Sequence, residues 1–188
     1  MRIDIWSDIV CPFCYVGKRN LEQALAEFEH RDEVEVVWHS FELDPSATEH
    51  PAGSLPEMIA GKYQMSLEQA IASQESLAER AREVGLDFNW RQARYGNTFD
   101  AHRVIHYAAE QGLASAAQEA FKLAYFTQGR SVQDHESILD IASEIGLDTA
   151  EVEAVLKSDR YAADVRADEQ LARQLGINGC LLYTSDAA

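Results

Sequence analysis

Ile3-Asp4-Ile5-Trp6-Ser7-Asp8-Ile9-Val10-Cys11-Pro12-Phe13-Cys14-Tyr15-Val16-Gly17-Lys18 is the stretch on which the fold turns. Up to Val10, β-branched and aromatic residues come in near alternation, the pattern of a strand. Beyond Cys14 the period changes, and Leu21, Ala24, Leu25 and Phe28 share one helical face. The two cysteines therefore stand where a strand hands over to a helix. A thiol there feels the positive end of the helix dipole and the unpaired N–H groups of the first turn, which favour its thiolate. Pro12 suits the first helical position, where a missing N–H costs nothing. Two intervening residues let Cys14, one turn further in, close a disulfide with Cys11. In this reading Cys11 is the exposed, low-pKa nucleophile and Cys14 the more buried resolving thiol.

Three other readings of the pair stand beside the redox dithiol. Half a zinc site would need two more ligands, and no second Cys-x-x-Cys or His pair at ligand spacing follows. Two inert buried cysteines are a common core feature. A structural disulfide belongs to oxidising compartments, and Met1-Arg2-Ile3-Asp4 enters the strand without a charged-then-apolar leader.

Outward from this stretch, Glu33 to Phe41 reads as a second strand, and strand–helix–strand at this spacing is a βαβ unit with parallel strands. Residues 1–53 form this unit. Residues 54–160 are helical in period throughout, and residues 161–179 read as a helix returning to the sheet. Ser54 with Glu57 and Ser66 with Gln69 mark capping boxes, and Asp134 caps a later helix. Gly85, Gly112, Gly129, Gly146 and Gly176 stand at helix stops. The expected class is α/β. His39 reads as a satisfied core histidine, His106 and His135 as surface or cap positions, and Trp6 and Trp38 as core aromatics.

The chain has 188 residues and a net charge of −16, which argues against nucleic acid or an anionic membrane as the main partner. No apolar run is long enough to span a bilayer. A cytoplasmic setting is expected, where three cysteines suit a catalytic pair better than a scaffold of bridges.

The sequence resembles the DsbA-like thioredoxin superfamily, and most closely its cytoplasmic FrnE-type branch. The likeness is carried by Asp4 to Lys18, Trp38 to Pro45, Asn97 to Arg103, Tyr125 to Arg130 and Leu175 to Gly179. It implies a thioredoxin-like fold with a large all-helical insertion and thiol–disulfide exchange on protein or small-molecule disulfides. By the same likeness Cys11 is the nucleophile and Cys14 the resolving cysteine. Pro12 and Phe13 then tune the reduction potential, no cofactor or metal is bound, and glutathione is a candidate redox partner. Asn97 and His102 fall in a segment the group shares and are candidates for lining a substrate or glutathione groove; otherwise Asn97 caps a helix and His102 packs between domains. The neighbouring hydroxychromene carboxylate isomerases and kappa-class glutathione transferases carry serine where Cys11 stands.

The likeness ends at Gly179. Family members continue with a cis proline and closing strands and helix, whereas residues 180–188 read Cys-Leu-Leu-Tyr-Thr-Ser-Asp-Ala-Ala. These nine residues look like a foreign, adapter-like tail; the alternative is a natural short variant in which Cys180-Leu181-Leu182-Tyr183-Thr184 supplies a strand. The expectation is a chain lacking its final strands and helix, with one edge of the first strand unpaired, poor stability, and no role for Cys180.

Overall fold

The computed structural model describes residues 1–48, 52–179 and the backbone of strand 182–185. The order is β1 (Arg2–Ser7), α1 (Pro12–Glu27), β2 (Glu35–Ser40), α2 (Leu55–Tyr63), α3 (Leu67–Glu83), α4 (Phe99–Glu110), α5 (Ala114–Phe126), α6 (His135–Glu144), α7 (Thr149–Leu156), α8 (Ala162–Gln174) and β3 (Leu182–Ser185). This is the helix-rich α/β fold expected. β1 and β2 are parallel with Ile5 opposite Trp38, as a βαβ unit requires. β1 stops at Ser7 rather than Val10, and a turn carries the chain to Pro12.

One expectation is overturned. β1 is the central strand of the order β2-β1-β3, and its second edge pairs antiparallel with β3, Ile5 opposite Tyr183. The backbone groups that would have been orphaned are hydrogen-bonded, so β2 and β3 are the edges of the described sheet. Cys180 lies outside the described residues.

Helix ends follow the sequence signals. Ser54 N–H donates to Glu57 Oε2 at 2.6 Å, and Ser66 with Gln69 makes a reciprocal capping box. Asp134 Oδ1 accepts from Ser137 N–H at 2.8 Å. Thr98, not Asn97, occupies the N-cap position of α4, and Asn97 Oδ1 accepts from Phe99 N–H at 2.9 Å. The expected apolar face of α1 is only partly used: Leu21 and Leu25 are half-buried, Ala24 is exposed and Phe28 is 43 % exposed. The helix buries Cys14, Tyr15, Gly17 and Lys18 instead, because its N-terminal half is the part gripped by α5.

Packing ignores the sequence division at residue 53. Ile9, Val10 and Tyr15 belong to the same buried cluster as Val104, Phe121, Ile138 and Val152. A smaller cluster joins Trp6 to Ala172 and Ile177, which lays α8 on the sheet. Polar bonds lock that contact. Trp6 Nε1 donates to the Asp168 carbonyl at 3.1 Å, and Ser40 N–H donates to Asp168 Oδ2 at 2.8 Å. His39 stacks on Trp6 and lies 2.7 Å from both Asp168 Oδ1 and Asp4 Oδ1. His39 is thus the satisfied core residue expected. His106 is more than a surface position, since its Nε2 is 3.2 Å from Asp168 Oδ2 and 3.1 Å from Ser40 Oγ.

This cluster is pH-sensitive in a direction that can be worked out. Burial lowers the His39 pKa, but Asp168 and Asp4 outweigh it and hold the imidazole above its ordinary 6.5. Burial raises the Asp168 carboxyl, and bonds from His106, His39 and the Ser40 N–H more than reverse this, holding it well below 3.8. The His39 contribution is full below pH 6.5 and disappears as pH rises through the raised value; the Asp168 contribution is full above pH 3.8 and disappears as pH falls through the lowered one. Urea unfolding of the wild type and His39→Asn across pH should therefore differ most between about pH 4 and 6.5 and converge above that window.

Gly129, which ends α5, has φ +64°, and a Cβ there would lie 2.7 Å from Gln92 Cβ. Gly129→Ala should lose at least about 1–2 kcal/mol from the left-handed backbone alone, read as a lowered urea midpoint.

Candidate active site

The turn Asp8-Ile9-Val10 delivers the chain from the end of β1 to the start of α1. Cys11 is the N-cap, with φ −89° and ψ 116°, and Pro12 takes the first helical position. The Cys11 N–H donates to the Asp8 carbonyl at 3.5 Å and its own carbonyl accepts from Tyr15 N–H at 3.3 Å. The N–H groups of Phe13 and Cys14 have no carbonyl within the helix to reach, so they add to the positive end of a sixteen-residue dipole. Both sulfurs are thiols.

The exposed nucleophile expected at Cys11 is not what the structure shows. Cys11 is 3 % exposed and Cys14 is fully buried, while Phe13 between them is 49 % exposed. The reason lies in the turn: Ile9 and Val10 are drawn into the helical cluster, and the N-cap goes down with them. Pro12 is half-buried at the rim.

Asp8 is fully buried beneath the pair. Its carboxylate accepts from Leu43 N–H at 2.7 Å, lies 3.3 Å from His102 Nε2, and is bonded by the Thr98 side chain. Burial pushes its pKa up; His102, Leu43 and Thr98 together bring it below the ordinary 3.8. His102 has no exposed surface, so it stands beneath the site rather than on the wall of a groove. Asn97 is half-buried and joins the segment between β2 and α2 through a bond from its N–H to the Thr48 carbonyl at 3.2 Å. His102 reaches the cysteine turn through Asp8.

A charged seam fixes α1 against α5. Lys18, 2 % exposed, reaches both Glu22 and Glu119 at 2.5 Å. Arg19 binds the same two carboxylates, and Tyr15 OH donates to Glu119 Oε1 at 2.7 Å. Burial raises the Glu119 pKa, but Lys18, Tyr15 and Arg19 leave it lowered overall. Further along, Tyr15 packs against Phe88 and Phe126. Lys122, also on α5, is fully buried, with its Nζ donating to Gln118 Oε1 and 5.9 Å from the Trp38 ring centre.

Asp8, Lys18, Glu119 and Lys122 were not picked out from the sequence. The signal available was polar residues on a buried stripe: Gln118 and Lys122 are one turn apart among Ala117, Phe121 and Tyr125. Among the described residues, no group of three or more His, Cys, Asp or Glu is arranged to hold a metal ion.

Comparison with known proteins agrees with this geometry. The family model described as DSBA-like thioredoxin domain matches residues 2–180. The crystal structure of a probable DsbA oxidoreductase from Streptomyces coelicolor superposes with a TM-score of 0.95 at 46 % identity, over 100 % of this chain and 81 % of that one. Two more distant structures share the fold. A 2-hydroxychromene-2-carboxylate isomerase gives a TM-score of 0.75 at 15 % identity, covering 100 % of this chain and 87 % of that one. The cytosolic disulfide reductase DsbM of Pseudomonas aeruginosa gives 0.69 at 17 %, also covering 100 % and 87 %, and has been solved with GSH as well. With a strand-to-helix Cys-Pro-Phe-Cys turn, a helical layer closed over it and a family match along nearly its whole length, this chain belongs to the DSBA-like thioredoxin domain family.

Proposed function

We propose that this chain is a thiol–disulfide oxidoreductase acting through Cys11 and Cys14 on protein or small-molecule disulfides, in the cytoplasm. The observation that carries the reading is the placement of Cys11 as N-cap and Cys14 in the first turn of α1, with Pro12 between the cap and that turn. The dipole and the N–H groups of the first turn stabilise a thiolate at this end of the helix.

The exchange balances as follows. The Cys11 thiolate attacks one sulfur of a substrate disulfide, forming a Cys11–substrate bond and releasing the other substrate sulfur. The Cys14 thiolate then attacks Cys11 Sγ, forming the intramolecular disulfide and releasing the second sulfur. The two protons given up by the cysteines end on the two released thiols, and the substrate is reduced by two electrons. Run backwards, the same steps oxidise a dithiol. Pro12 and Phe13 set the geometry between the sulfurs, and Phe13 supplies exposed apolar surface beside the entry to Cys11. Glutathione is the proposed small-molecule redox partner, a reading supported by the fold shared with a reductase solved with GSH.

A second reading, a glutathione-dependent isomerase, is favoured by the fold shared with the hydroxychromene carboxylate enzyme. Cys11 separates the two. In an isomerase, glutathione brings the thiol, and Cys11→Ser retains turnover.

In glutathione redox buffers, with Cys180→Ser as background, the Cys11–Cys14 disulfide should titrate with a single two-electron midpoint that disappears in urea. Cys11→Ser should reduce disulfide exchange to background. Cys14→Ser should instead accumulate a mixed disulfide with glutathione, visible by mass. Full isomerase turnover in Cys11→Ser would overturn the exchange mechanism.

A further inference from the structure

Lys122 has no part in the exchange as drawn, yet its position is costly. The side chain has no exposed surface, and its hydrogen bond runs to the neutral amide of Gln118 on its own helix. An ammonium enclosed against an amide and an indole ring is heavily penalised unless opposite charge lies near. The α1–α5 seam shows what lies near. At one level Glu119 meets Lys18, Arg19 and Tyr15; about two turns further on, Phe126 meets Tyr15 again. Lys122 falls between these levels, abreast of the first turn of α1, with Trp38 of β2 on its other side.

The ionisable groups that weigh most on Lys122 come from α1 and the turn before it. From the start of α1 come Cys14 and Cys11, from the preceding turn Asp8, and from one turn along α1 the like charge of Lys18. Lys18 is already paired with Glu22 and Glu119. Asp8 is shared with His102, Thr98 and Leu43 N–H. Only the sulfurs change charge during exchange. Burial pulls the Lys122 pKa down, and among the opposing influences Cys14 is the largest, ahead of Asp8.

We propose that Lys122 is a positioning residue for the charge of the dithiol: its enclosed ammonium stabilises the Cys14 thiolate that resolves the mixed disulfide. The proposal rests on the reading of Cys11 and Cys14 as the exchanging pair. Lys122 keeps its proton throughout. Cys14 loses its own proton to the departing substrate sulfur, the Cys14–Cys11 bond forms, and the Cys11–substrate bond breaks. Because the disulfide form carries no thiolate, Lys122 favours the reduced state and pushes the pair toward the oxidising end of its range.

The test uses the full chain with Cys180→Ser. Lys122→Met, which keeps the length of the side chain without its charge, should move the onset of the resolving step to higher pH by about one unit, a loss of about tenfold near neutrality. It should also make the pair more reducing in glutathione buffers. Lys122→Arg should restore both. If Lys122→Met changes only the urea midpoint and leaves the pH profile and redox midpoint in place, the residue is structural and the proposal fails.

A second measurement needs no folded variant. NMR titration of 13C-labelled lysine in the wild-type background should give Lys122 a lower midpoint in the disulfide form than in the dithiol form. Equal midpoints overturn the proposal even where exchange proceeds normally. Absent exchange with unequal midpoints overturns the redox reading instead and leaves the charge pairing standing.

Discussion

The buried carboxylate of Asp8 is the constraint on which the rest of the molecule depends. It sits where β1 ends and the chain must turn into α1, and it is held from three directions at once. Leu43 N–H comes from the segment after β2, Thr98 from the start of α4, and His102 from the first turn inside α4. One side chain thereby fixes the βα turn, the exit of the second strand and the edge of the helical layer. A charge in that position is tolerable only because every direction of approach supplies a donor. Removing one partner of such a buried pair costs about 3–5 kcal/mol, a large share of the margin by which a domain is stable.

The same logic repeats at two other places. Glu119 gathers Lys18, Arg19 and Tyr15 and sets α5 against α1, while Asp168 gathers His39, His106 and Ser40 N–H and sets α8 against the sheet. Each is a carboxylate on a helix of the C-terminal two-thirds of the chain receiving donors from the βαβ unit or from α4. Apolar burial drives the layers together without direction, and Ile9, Val10 and Tyr15 merge with the helical core in that way. The carboxylates select which helix turn meets which strand position. The cysteine pair is enclosed by this framework, with Asp8 beneath it and the Glu119 seam beside it.

The parts of this arrangement that were legible in the sequence are those governed by local chemistry. The βα handover at Cys11-Pro12, the capping boxes at Ser54 and Ser66, the Asp134 cap and the glycine stops follow from backbone hydrogen bonding within a few residues. What escaped was set by partners far along the chain. The exposure of Cys11 was misjudged because its cover is decided by helices more than eighty residues away, into whose cluster Ile9 and Val10 are drawn. His106 looked like a surface residue because nothing local announces Asp168. The third strand ranked below a foreign tail for another reason: Leu182 to Ser185 departs from the family's pattern, yet pairing with β1 is made by backbone groups, which almost any residue except proline can supply.

The closed position of Cys11 bears on how an exchange of disulfides would be selective. A thiol at 3 % exposure beside a Phe13 at 49 % presents apolar surface first and sulfur second. In the proposed exchange a substrate packs against the aromatic ring before its disulfide aligns with Cys11 Sγ. On that reading Phe13 adds apolar contact for disulfides flanked by apolar residues. Cys14 has no exposed surface at all. In the proposed exchange its reactivity follows the protein interior, with Asp8 in the preceding turn and Lys122 on α5, more than solvent.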